Sequence, residues 1–241
     1  DADDETLTAA AINLVGDAVG TVTLKNAVKV TGGHDALTKA FVTSSTKVTG
    51  TTAVVTFTDA NTTDVDATEI TDVVAEVGSV NIQNKINIKG NKAQVKAAVV
   101  TAATRATIDT DGTTATVSDA ASLTEANAIA AVSNIKASFT AGLSDTASGL
   151  TKDATTIADE MAAVTTDQSD IAIAISDGAG ETVAATRLSA IGGATEGTVT
   201  ASIVTTETVD ELATLSGTGA YTIVIASGDA TGSTAAEFNT I

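Results

Sequence analysis

Two clusters of oxygen-bearing side chains are the places where this sequence could do chemistry. Asp59, Asn61, Asp64 and Asp66 crowd one short stretch, and Asp109, Asp111 and Asp119 lie in and just after the stretch Asp109-Thr-Asp-Gly112. Hard cations such as Ca2+ take about six to eight oxygen ligands, so either cluster is a candidate calcium site. Each also has an ordinary reading. Asp-Gly is a favoured two-residue hairpin turn. A calcium loop counted from Asp109 would need its closing Glu where Ala120 stands. Asx residues serve equally well in turns and helix N-caps. Calcium is the one cofactor these residues suggest, with a solvated turn as the competing reading at both places.

Other reactive constellations are thin. His34, the single histidine, follows Gly32-Gly33 and precedes Asp35, which reads as a polar helix start rather than a base with partners. Gly178-Ala-Gly180-Glu-Thr-Val183 stands between a strand and a helix, as a dinucleotide-binding turn would. Val183 replaces the third glycine, however, so a tight turn explains the pattern better. The chain has no cysteine, which excludes disulfides and thiolate metal sites. Thirty acidic against 12 basic residues, a net charge of -18, oppose binding to nucleic acid or to anionic membranes. No apolar run is long enough to span a bilayer, so no membrane insertion is expected.

The elements that must position these residues alternate along the chain. Ala-rich segments with helical spacing fall near 6–18, 34–45, 66–77, 91–104, 121–133, 153–164, 181–192 and 208–215. Val/Ile/Thr-rich segments fall near 21–31, 47–58, 79–89, 105–118, 135–140, 170–176, 197–205 and 220–227. Ser122-Leu-Thr-Glu125, Thr208-Val-Asp-Glu211 and Thr234-Ala-Ala-Glu237 have capping-box spacing, and Asp66-Ala-Thr-Glu69 is a close variant. Behind them lie narrow apolar stripes such as Ile70, Val73, Val74 and Val77, which are stable only against another apolar surface.

Aromatic residues make up only 2% of the chain and proline is absent, so the core must be thin and its loops must turn on Gly, Asn, Asp and Thr. Such side chains suit layers stacked repeatedly. The expectation is therefore an α/β repeat fold: an elongated, solenoid-like strand–helix stack with some β-hairpins, the clearest at Asp111-Gly112. An α/β sandwich is the alternative. Residues 1–119 read as helix-plus-hairpin repeats and 120–241 as simpler strand–helix repeats. With no polar cap evident at either end, a segment of a longer array or one subunit of an assembly is expected.

The stretches TVSDAASLTEANAIAAV (116–132), LSAIGGATEGTVTASI (188–203) and LSDTASGL (143–150) carry a family likeness. They resemble repeat regions of giant Thr/Ala/Asp-rich, hemolysin-like surface and adhesin proteins of cyanobacteria, and related appendage proteins of cyanophages. The glycine-rich nonapeptide calcium repeat of the hemolysins is missing here. The resemblance implies a secreted or virion-surface structural role, with no catalytic residues to carry over.

Composition and resemblance together lead to one expectation. The chain is a non-catalytic structural or adhesive repeat module at an extracellular cell surface or in a filament. It would associate with itself or neighbouring subunits through edge strands, and could meet a surface glycan or host-cell partner. A phage virion component (fibre, appendage or capsid decoration) is the alternative. An enzyme acting on polysaccharide is more distant, because carbohydrate sites want aromatic faces that this chain lacks.

Overall fold

A computed structural model describes residues 6–24, 27–43, 48–104, 106–108, 112–178, 183–204, 208–213, 215 and 219–224. It is a mixed α/β structure with parallel sheets, and it divides into two units: residues 1–118 with 131–138, and residues 119–130 with 139–241.

In the first unit, strand β1 (Thr6–Thr8) leads into α1 (Ala9–Val19), β2 (Val22–Thr23), β3 (Lys29–Gly32) and α2 (His34–Phe41). Next come β4 (Val48–Phe57), β5 (Asp64–Asp66), α3 (Ala67–Glu76), β6 (Val77–Ile82), β7 (Asn87–Gly90) and α4 (Lys92–Val99), with a 3-10 turn behind it. Strands β8 (Ala106–Ile108), β9 (Thr113–Val117) and β10 (Ile135–Phe139) follow. One sheet has the order β1-β3-β4-β6-β8, with β2 also on β4; another has β5-β7-β9-β10.

The second unit holds α5 (Leu123–Ala130), β11 (Leu143–Asp145), α6 (Ala147–Leu150), α7 (Met161–Asp167), β12 (Ile173–Ile175), α8 (Ala185–Gly192), β13 (Val199–Val204), α9 (Val209–Leu212) and β14 (Gly219–Val224). Its sheet runs β11-β12-β13-β14.

In all three sheets spatial order follows chain order, and the strand pairs with a defined register are parallel. The register explains how small side chains make a core. Val30 lies opposite Val55, Val55 opposite Val80, and Val80 opposite Ala106, so one buried column runs through four strands. Val65, Ile88 and Ala115 form a second column, and Leu143, Ile173 and Val199 a third. Each column repeats one apolar position, and parallel pairing buries it against its own equivalent. Phe41, Phe57 and Phe139 are at most 1% exposed.

The hairpins expected from sequence do not form. Strand β8 pairs with β6 while β9 pairs with β7, so the two arms flanking Asp111-Gly112 belong to different sheets. The arms of 79–89 separate likewise, since β6 joins β4 and β8 whereas β7 joins β5 and β9, while in 21–31 both β2 and β3 pair in parallel with β4 instead of with each other. The breaks in 79–89 and 106–117 are corners between sheets, and Gly112, at φ +98, supplies one of them. Three short strands were hidden: β1 within the first helical stretch, and β5 and β11 in apparent loops. The helix expected at 153–164 begins only at Met161. The Asp153 carboxylate accepts from the backbone N–H groups of Thr155 and Thr156 and holds that segment in a turn.

Helix starts follow the sequence closely. Capping boxes are present at Asp66/Glu69, Asn91/Gln94 and Thr208/Glu211, and Ser122 with Glu125 makes the same reciprocal bonds. Three helices are also capped by an Asp from a later strand end. His34, Leu123 and Ala147 are the first residues of α2, α5 and α6, and their N–H groups donate to Asp59, Asp145 and Asp177 respectively. For α2 and α6 the Asp lies just beyond the end of the strand that pairs with the one preceding the capped helix, and Asp145 ends β11, whose Leu143 bridges Ala121 just ahead of α5.

Candidate functional site

The residues with most chemical potential gather where α2 and α3 begin. Helix α2 starts behind Gly33, which has no side chain to cap it. Asp59, just past β4, takes over: both of its carboxylate oxygens accept from the His34 backbone N–H, at 3.1 and 3.0 Å. The same carboxylate lies 2.6 Å from His34 Nδ1. An ionised carboxylate only accepts, so in the neutral imidazole Nδ1 carries the proton and Nε2 the lone pair. The Asp59 side chain is 7% exposed and the His34 ring 20% exposed, so this pair is largely withdrawn from water.

Nε2 points the other way. It lies 3.6 Å from Asp35 Oδ1, whose side chain is 93% exposed. Glu69 completes the group from the first turn of α3, which packs on α2. One ligand atom each from His34, Asp35 and Glu69 lies within 4.8 Å of the others, a set that could hold a metal ion. Burial alone would pull the His34 pKa down. The hydrogen bond to Asp59 and the charges of Asp59, Glu69 and Asp35 outweigh it and hold the imidazole above its usual value.

Four of the side chains singled out as calcium ligands, Asp59, Asn61, Asp64 and Asp66, have protein partners here. Asp59 is occupied as described. Asn61 Oδ1 accepts from the Lys85 backbone N–H. Asp64 Oδ1 accepts from Asn87 Nδ2 at 2.7 Å, and its Oδ2 lies 3.1 Å from Lys89 Nζ. Asp66 caps α3. These bonds reach to the next pair of strands, where Asn87 Oδ1 in turn accepts from Thr114 and Thr116 hydroxyls. The cluster is thus a polar ladder parallel to the apolar columns, with its carboxylates spread along the strands. Asp119 is described, in a bend before α5. Asp109 and Asp111 lie outside the described residues, as do Gly180, Thr182 and the capping pattern at Thr234. Val183 is buried beside the start of α8, where a third fingerprint glycine would stand.

A hydrolase triad would need a nucleophile opposite the ring as well. His34 and Asp59 form two members of a triad, but the ring nitrogen that a hydrolase would aim at a serine hydroxyl faces a carboxylate. Reading the sequence alone missed the pairing of His34 with Asp59 and the part of Glu69. The available signal was the spacing: 25 residues separate His34 from Asp59, as they separate Val30 from Val55.

Comparison with protein-family models, with curated proteins and with solved structures finds no match to this chain. Among the described residues, no helix is long and apolar enough to cross a membrane.

Proposed function

We propose that this chain is a non-catalytic structural or adhesive repeat module, part of an extracellular surface protein or filament, in which strand–helix repeats stack as in a solenoid. The observation that carries the reading is the agreement of spatial with chain order in every sheet, with parallel registers near 25 residues apart in the first. In such a stack each repeat buries its apolar column only against its neighbours, so the product of folding is length and stiffness rather than a cavity. The polar ladder through Asp64, Asn87 and Thr114 serves the same end, tying three successive rungs by side-chain bonds. Self-association fits the same physics. Helix α1 keeps Leu14, Val15 and Val19 at 74, 51 and 65% exposure, beside the edge strand β1. A like repeat from a neighbouring subunit would cover both.

Excision of one repeat tests the reading. Deleting residues 55–79 joins Val54 to Val80 and places Val80 opposite Val30, one whole rung removed. A stack tolerates this: the shortened chain folds cooperatively, with a smaller denaturant dependence in proportion to the surface lost. A chain that collapses or aggregates after this in-register excision would point to a closed domain instead.

A further inference from the structure

We propose that His34, Asp35 and Glu69 bind a divalent ion of the borderline class, such as Zn2+ or Co2+, and thereby link α2 to α3. Imidazole suits these ions better than it suits Ca2+ or Mg2+, and one nitrogen with two carboxylates is a donor set they accept. The three groups come from two consecutive helices that pack on each other, and their ligand atoms are already within 4.8 Å.

What distinguishes the group from a patch of surface acids is the side chain behind it. Metal-binding histidines generally give their second ring nitrogen to a carboxylate, which fixes the tautomer and turns the lone pair toward the ion. Asp59 does this from a different element, buried and 2.6 Å from Nδ1. Asp35 and Glu69 keep oxygens for a metal. Asp35 faces the ring, and Glu69 uses one oxygen, Oε2, to cap Asp66. The two helix N-termini bring about half a positive charge each, against three carboxylates in Asp35, Asp59 and Glu69. The balance stays negative and favours a cation.

Because His34 is the chain's only histidine, its ring is a unique reporter. The full chain, freed of metal with chelator and kept in excess Mg2+ to occupy its general negative surface, would be titrated with Co2+ while the ring resonances are followed by NMR. Zn2+ binding would be measured by calorimetry. The expected result is one saturating event that displaces the ring signals. Glu69→Gln and Asp35→Asn should each weaken it about tenfold or more. Gln94 already closes the capping box of α4, so Glu69→Gln keeps the α3 cap, and an unchanged melting midpoint would show that the loss is one of ligation. Ring signals undisturbed by metal up to about 1 mM, or both variants binding as the parent does, would overturn the proposal.

Discussion

Replacing Asp59 by Ala tests how strongly one rung holds the next. The substitution removes the carboxylate that caps the first N–H of α2 and the acceptor for His34 Nδ1. Loss of an N-cap costs about 1 kcal/mol. A hydrogen bond with an ionised partner adds about 1.5–3 kcal/mol. Water reaches part of the 20%-exposed ring and recovers some of this, so the net loss should be about 2–3 kcal/mol. Asp59→Asn keeps one oxygen for the cap but not the charge, and should lose about half as much. Asp35→Ala, at a side chain 93% exposed, is the control and should stay within about 0.5 kcal/mol. Urea unfolding followed by circular dichroism gives all three, with chelator present. An Asp59→Ala loss below about 0.5 kcal/mol, or equal losses for Ala and Asn, would refute the idea that this buried carboxylate joins the rungs as a charged cap.

The same pair predicts a pH dependence in chelator-treated protein. The folded His34 pKa is raised above 6.5, so its contribution is complete below 6.5 and is lost as pH rises through the higher folded value. A pH series of melting midpoints should show this decline in the parent chain and not in Asp59→Asn. Asn87→Ala should cost about 1–2 kcal/mol by urea unfolding. It should also let the Asp64 pKa, held down first by its hydrogen bond to Asn87 and then by Lys89, climb back toward the ordinary carboxylate range in a carbon-detected NMR titration. Gly142 sits at φ +70 with its open side against the backbone carbonyl of Ala172, just ahead of β12. Gly142→Ala should therefore cost at least about 2 kcal/mol, from the left-handed conformation and the overlap together, as read from the urea midpoint.

How much of this was legible in the sequence depends on the distance over which each feature is encoded. Helix starts are local: Asp66 with Glu69 and Thr208 with Glu211 declare themselves within four residues, and the capping boxes form there. The apolar positions of the strands are nearly as local, and Val55, Val80 and Ile88 are buried as alternation requires. Pairing is not local. Alternation marks which face of β8 is apolar but not which strand it will meet, and an Asp-Gly pair between two β-type runs favours a hairpin wherever no competing partner exists. Here each arm finds an equivalent arm about one repeat earlier, with a matching apolar column, and that wins. The His34 site was obscured for the same reason: its supporting Asp59 is 25 residues away, and the local neighbours of Asp59 suggested a different cluster. Short strands such as β1 carry too few side chains to show a period, and Ala-rich sequence after Thr8 reads as continuous helix.

Cross-linking between rungs tests the parallel register most directly, and the chain's lack of cysteine makes the result unambiguous. Thr56 and Asn81 are register partners on β4 and β6. A variant carrying Thr56→Cys and Asn81→Cys brings the two sulfurs within the reach of a disulfide, which needs Cα atoms about 4.4–6.8 Å apart. Mild oxidation of the folded protein should close this bridge nearly completely. It should leave Thr56→Cys with Gln83→Cys, shifted by one strand period, largely unlinked. Equal cross-linking in the two variants, or none in the first, would contradict a structure built by laying each strand in parallel register on the one before.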